Sequence, residues 1–562
     1  MAEPDIEDLA VVKPCLHACP ANKSVGQALS GPRRRLAALS HQLVGRKAGS
    51  HTDCHLLCPL HVAASLPSGG EQAARIDRSS WQSKEFPVTD PYGSGISLDE
   101  LLRLRRIEAE PEKAGIQAIR EGHTPPANAF AKYVITGQKG EWPYVDPTSE
   151  LQTINPHMMT DEVNSITGPI LRRLVDNIRR DTTDMPYEPT VLNAWDTFVD
   201  PARFTAEVEA MKSGYVFAGF SNDLGDKPND FRRMVLMGKS VLLTRDPSGR
   251  FRAFENICRH RGMELVTCDR PRGNRAVHVC GYHSWAFASD GQLVNVPFGQ
   301  GFEGSEEVAL ASRNLIELPA GERCGILFVV SHPKDGLNYG ALLEDVLSPE
   351  LAHELDAYRL GEMKCVVSQS VNVASNWKLP IDTFGEAYHF NTLHPTFSQS
   401  FVGNRCAFRS WDDRHGRPRN SCMTLSKATL KILVEDDIPE ERWDEPCAIH
   451  HMLQTFVIAP NTSLIVGSQG VTVTQSWPGA VPGECVVTLT NYNFRLPENA
   501  TMRTMARMGF GSLLDIVAAE DFEILPLLQR NFTASPHAQV VFGRNEPALT
   551  YRHKMFKAMI GE

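Results

Sequence analysis

No run of apolar residues in this chain approaches the ~18 that a membrane-spanning helix requires, and no Gly-rich fingerprint of a flavin- or nicotinamide-binding fold is present. The first absence leaves no candidate helical span. The second means that any redox chemistry must draw electrons from a separate protein. Basic residues are not in excess either: Lys+Arg 57 against Asp+Glu 67 leave a net charge of -10, which argues against nucleic acid as a partner. The opening residues, MAEPDIEDLA, are acidic where a secretory signal would be basic and then apolar. The 13 cysteines lack the regular spacing of a disulfide framework. They suit reduced thiols and metal ligands, so a reducing, cytoplasmic compartment is expected.

What is present divides unevenly. At 562 residues the chain exceeds one ordinary core, so several domains, or one with a large extension, are expected. Residues 1–185 read as an N-terminal extension, rich in Pro, Gly, Ser and Ala and poorly ordered in large part. Between Leu9 and Thr52 no acidic residue occurs, as in organelle transit sequences, although Glu3, Asp5, Glu7 and Asp8 come just before. Cys15, His17, Cys19 and Cys54, His55, Cys58 could be drawn as a zinc site, but both Cys pairs have x3 spacing and no strand or helix signal surrounds them. Near the end of the extension, Thr160 to Arg180 has helical periodicity through Val163, Ile166, Ile170, Leu171, Leu174 and Ile178.

A globular core is expected to begin at 186–217, where Asp200 offers an N-cap and Pro201 a first helical position. Residues 218–335 alternate strand-like runs with the turn Asp246-Pro247-Ser248-Gly249, as a small antiparallel β domain would. Residues 336–562 read as helices, then strands from about His451, then a helix over GSLLDIVAAEDFEILPLLQRNF. The fold class expected is α+β, with a catalytic domain whose antiparallel sheet is flanked by helices.

Two constellations carry chemistry. His389 and His394 are five residues apart, so on an unbroken helix they would diverge by roughly 140°. Both can reach one metal only where the helix loosens or ends, which Asn391, Thr392 and Pro395 allow. Two imidazoles and one carboxylate with open positions form the ligand set that holds ferrous iron for oxygen activation. In the second constellation, Cys258-x-His260 precedes Cys280-x-x-His283. Zinc fingers usually begin with a Cys pair and end with a His pair on a helix, whereas here each arm supplies one of each and follows a strand-like segment. That alternation suits a 2Fe-2S cluster with thiolates on one iron and imidazoles on the other.

The segments FRAFENICRHRGMEL, VCGYHSWAFASDGQLVNVP and NWKLPIDTFGEAYHFNTLHP resemble the Rieske non-heme iron oxygenases, the family of aromatic-ring-hydroxylating dioxygenase α subunits. Met263 and Tyr282 stand where respiratory-type Rieske proteins usually carry additional cysteines, so the resemblance is to the oxygenase branch. It implies a 2Fe-2S cluster on Cys258, His260, Cys280 and His283, and a mononuclear Fe(II) on His389, His394 and a late Asp. Asp521 matches that position best and Glu520 is the alternative. Glu386 then bridges an iron ligand to His283 of a neighbouring subunit, which implies a head-to-tail ring, most simply a homotrimer, with or without a β subunit. Asp382, Tyr388, Trp377 and Asn376 would orient the ligands through hydrogen bonds, and Cys268 would be a packed thiol. The activity implied is O2-dependent hydroxylation of an organic, aromatic substrate, with electrons from a reductase or ferredoxin. Monooxygenation or demethylation of a quaternary amine is the alternative within the class. An electron-transfer protein without oxygenase activity is the alternative outside it. Protein purified without oxygen should carry about three irons per two acid-labile sulfides; about two to two would leave only the cluster.

Overall fold

The computed structural model describes residues 155–562 except 189, 305–308, 395–400, 438, 441–447, 497–516 and 536. The calls on residues 1–154, the zinc-like cysteines and the transit-like stretch among them, lie outside the described residues. So does Pro395.

The described chain enters through a helix. α1 (Asp161–Arg179) begins where Thr160 accepts a hydrogen bond from the Val163 N–H at 3.2 Å. Its buried face, Val163, Ile170, Leu174, Val175 and Ile178, packs into the same core as Phe456, Leu464, Val471 and Val473 of the catalytic sheet. α1 is therefore part of the catalytic domain. The extension expected over 1–185 overlaps this core by at least the length of α1, because an apolar stripe of that width must be buried against something.

β1 (Thr190–Ala194) pairs with the distant β20 (Gln539–Phe542), closing the two ends of the catalytic domain against each other. α2 (Pro201–Ser213) starts as expected, with Asp200 accepting from the Arg203 N–H at 2.6 Å and Pro201 in the first turn. β2 (Val216–Phe220) then leads out to the β domain and β12 (Ile326–Val329) returns beside it, antiparallel, with β11 (Ala320–Arg323) on the far side. Between them lie β3 (Asp230–Leu236), β4 (Lys239–Arg245), β5 (Phe251–Glu255), β6 (Arg272–Asn274) and β10 (Glu317–Leu318), in the order β10-β5-β4-β3-β6. The turn at Asp246 joins β4 to β5, its carboxylate accepting from the Ser248 and Arg250 N–H groups at 2.9 and 3.0 Å. A smaller sheet holds β7 (Val277–Val279), β8 (Ala286–Ala288) and β9 (Leu293–Asn295) in sequence order.

The catalytic sheet has seven antiparallel strands: β13 (Lys364–Val373), β14 (Phe401–Asp412), β15 (Pro418–Lys427), β16 (Met452–Ile458), β17 (Thr462–Val466), β18 (Gly470–Pro478) and β19 (Cys485–Asn493), in the order β13-β19-β18-β17-β16-β15-β14. Strand structure thus starts well before His451. β15 escapes a pattern reading because it is buried on both faces from Asn420 to Ser426 while using Ser, Thr and Cys.

The segment leading to the histidines runs from β13 into α3 (Lys378–Thr383). A buried polar knot fixes it. Asn376 donates its side-chain amide to the Phe198 carbonyl at 3.0 Å and its backbone N–H to the Gln529 side chain at 2.8 Å. Lys378 forms an ion pair with Glu207 of α2 in which both side chains are fully buried, and the Trp377 indole N–H donates to the same carboxylate at 3.2 Å. Burial depresses the Lys378 pKa, with Glu207 opposing it. Removing one member of such a pair strands the other charge. Lys378→Met should cost about 3–5 kcal/mol and lower the thermal midpoint, and pairing it with Glu207→Leu should recover most of that loss.

Candidate functional site

Two loops of the β domain bring the four cluster candidates together. After β5, Cys258 donates its N–H to the Met263 carbonyl at 2.7 Å and accepts at its own carbonyl from Gly262 at 3.0 Å. Gly262 sits at φ 80°, where a side chain would be strained. Between β7 and β8 the pattern repeats: the Cys280 N–H reaches the Trp285 carbonyl at 2.8 Å and the Ser284 N–H reaches the Cys280 carbonyl at 3.0 Å. Each loop curls round its cysteine. Both thiols are 2% exposed and belong to the domain core with Phe231, Leu242, Phe254 and Trp285. The His260 and His283 rings lie 4.5 Å apart, and His260 stacks on Trp285 at 4.9 Å.

These residues fit an iron–sulfur cluster. Burial pushes the Cys258 thiol above its ordinary range and the adjacent Cys280 adds to it, so two thiols are crowded where a metal would take both as thiolates. Burial, with His283 and Arg261, holds His260 below its ordinary pKa. Its Nδ1 is buried without a hydrogen-bond partner among the described residues. Cys268, expected as a packed thiol, is exposed instead, because it lies in the turn beyond Val266, where the loop leaves the core.

The second constellation closes around Asp521. α4 (Phe390–Leu393) is a single turn with His389 before it and His394 after it, the latter at φ -117° and ψ 59°. The helix ends between the two rings, as their spacing requires. Asp521 comes from a π turn, Val517–Asp521, that opens α5 (Phe522–Ala534). Its Oδ1 lies 3.1 Å from His394 Nε2 and 3.4 Å from His389 Nε2. One ligand atom from each residue falls within 4.8 Å of the others. This is the facial donor set of a ferrous oxygenase site. Burial raises the Asp521 pKa, with both histidines opposing it.

The outer ring edges are held by glutamates. His389 Nδ1 pairs with Glu386, whose other oxygen accepts from the N–H groups of Tyr388 and His389, the latter at 3.2 Å. Glu386 works from the segment between α3 and α4, outside either helix. Burial alone would depress His389; Glu386, with Asp521 and Glu546 behind it, outweighs burial and raises the net pKa. Glu520, the alternative ligand, meets Nδ1 of His394, on the edge opposite Asp521.

The residues expected to orient the ligands directly do something else. Asp382 accepts from His553 Nε2 at 2.9 Å and lies 3.5 Å from Arg552 Nη1, both on α6 (Pro547–Met559). Asn376 and Trp377 bond to Phe198, Gln529 and Glu207. Tyr388 is 61% exposed. Their partners lie far off in sequence, so spacing around the histidines could not reveal them. Gln529, one helical segment beyond Asp521, and Arg552, against which Gly385 packs with no room for a side chain, were missed.

The fold and these two centres together define a two-centre iron oxygenase. Residues 214–305 match the model of the Rieske 2Fe-2S domain and residues 359–562 that of the ring hydroxylating α subunit catalytic domain; the chain belongs to the Rieske non-heme iron oxygenases, oxidoreductases that use O2. It is 26% identical over 344 residues to the large oxygenase component of salicylate 5-hydroxylase from Ralstonia sp, covering 56% of this chain and 78% of that one. It is 29% identical over 206 residues to the glycine betaine monooxygenase oxygenase subunit of Chromohalobacter salexigens, covering 36% of this chain and 43% of that one. The carnitine monooxygenase oxygenase subunit of Escherichia coli K12 is 27% identical over 233 residues, 40% of this chain and 58% of that one. These last two matches span less than two thirds of the relatives' own length. A quaternary ammonium Rieske monooxygenase solved with L-carnitine shares the fold at TM-score 0.52 and 18% identity, covering 65% of this chain and 94% of that one. Replacing His389 with Ala should lower the iron-to-sulfide ratio from about three to two toward about two to two, with the visible spectrum of the cluster unchanged.

Proposed function

We propose that this chain is the oxygenase component of a multi-protein system that hydroxylates a small organic substrate. The observation that carries the reading is the convergence of His389 Nε2, His394 Nε2 and an Asp521 oxygen, which a Rieske electron carrier would not need. When bound there, ferrous iron supplies activation of O2. The chain's own residues do the rest. Glu386 holds the His389 proton on Nδ1, keeping Nε2 free to ligate. Burial of His394 and Asp521, 5% and 4% exposed, keeps bulk water from two of the three donors.

Electrons come from a reductase or ferredoxin, since the family works with such donors and no nucleotide-binding fingerprint is present. Their route runs from the cluster through His283 of the partner subunit to Glu386 and His389 in a ring of subunits, most simply a trimer. What supports this is the accessibility of the flanking residues: Tyr282, beside His283, is 60% exposed and Tyr388, beside His389, is 61% exposed, so the segment carrying each centre has a surface a neighbouring copy can meet. An aromatic substrate is the first reading, supported by the long match to the salicylate 5-hydroxylase component. A quaternary amine is the second, supported by Glu386, where a glutamate replaces the commoner aspartate, and by the similarity to the betaine and carnitine enzymes.

The same system tests both points. Supplied with reductase, NADH and O2, the protein should form a hydroxylated product from salicylate-type aromatics, and mass spectrometry against L-carnitine and glycine betaine would reveal the second reading by loss of trimethylamine or formaldehyde. Chains carrying His283→Ala and Glu386→Ala, each inactive alone, should regain activity when co-assembled; no regain would rule out the route between subunits.

A further inference from the structure

We infer that Glu520 is the positioning residue of His394, matching what Glu386 does for His389, and that it sets how tightly the mononuclear iron is held. This rests on the metal-centre reading above. An imidazole has two nitrogens, and to ligate through one it must carry its proton on the other. His394 Nε2 faces Asp521 at 3.1 Å, so the proton belongs on Nδ1. The ring is 5% exposed, and a buried N–H needs an acceptor from the protein. Glu520 supplies one with its Oε2.

The geometry explains why consecutive carboxylates take different jobs. Side chains one residue apart on a helix diverge by about 100°, so Glu520 and Asp521 cannot both turn to the metal. That divergence places them on opposite edges of a single ring, which they clamp from Nδ1 and Nε2. The clamp also removes rotation of His394 about its side-chain bonds, an ordering cost that would otherwise fall on metal binding. The two glutamates differ in setting. Glu386 is also bound to two backbone N–H groups and its side chain is 13% exposed, whereas the Glu520 side chain is 38% exposed and no other partner of its carboxylate is recorded among the described residues. Glu520 therefore tunes one ligand without holding up the surrounding loop, and it can be changed without unfolding the site.

The experiment uses full-length protein with its cluster intact, stripped of mononuclear iron and titrated anaerobically with ferrous ion. Glu520→Ala should weaken binding about ten- to a hundredfold and lower the iron-to-sulfide ratio of the purified protein. Glu520→Gln keeps an acceptor oxygen and should restore most of the affinity, a rescue that simple loss of packing would not give. The cluster spectrum and thermal midpoint should match the unsubstituted protein in both. Wild-type ferrous affinity in Glu520→Ala would overturn the assignment. So would complete loss of iron in Glu520→Ala with retention in Asp521→Ala, which would make Glu520 the ligand. His394→Ala separates the two levels: if it too keeps iron, the metal-centre reading itself fails.

Discussion

A buried polar knot at the start of α3 holds the catalytic half of this molecule in working order. Asn376 ties the end of β13 to the Phe198 carbonyl and to Gln529, while Lys378 and Trp377 converge on Glu207. The chain running forward from this point reaches His389 and His394. The chain running backward from Gln529 reaches Asp521. The knot therefore fixes the origin of both arms that must meet at one metal, and its strength comes from the same source as its cost: charges and amides taken out of water tolerate only partners with the right geometry. A single helical turn flanked by His389 and His394 and a π turn ending at Asp521 are locally weak structures. They hold their positions because the ends of their segments cannot slide.

The two centres are built on different terms. At the β domain the cysteines are core residues, packed with Phe231, Phe254 and Trp285, while the histidines lie nearer the surface beside Tyr282. The cysteine side of the site is thus shielded and the imidazole side lies nearer the solvent. At the catalytic domain Asp521 and His394 are buried, and His389 and Glu386 are largely so, their side chains 18% and 13% exposed.

The candidate ligand sets could be read from the sequence because metal chemistry restricts both residue type and local spacing. His389 and His394 cannot share a metal on a continuous helix, and the structure ends the helix between them. Cys258-x-His260 and Cys280-x-x-His283 announce two similar loops, and the loops do repeat each other's backbone hydrogen bonds. The helix cap at Asp200 was equally plain. The supporting residues were not, since Asn376, Trp377 and Asp382 find their partners at Phe198, Gln529, Glu207, Arg552 and His553, and nothing in local spacing reports a contact of that range. β15 was hidden for another reason: burial of both faces removes the alternation by which strands are recognised.

The pairing of β2 with β12 makes the β domain a closed excursion from the catalytic domain, leaving and returning at adjacent strands. The β domain is complete in sequence at Val329, well before Asp521 and the β20 strand that closes on β1. The cluster loops thus depend on one contiguous stretch of chain, whereas the three donors of the second site are complete only with the final part of the sequence.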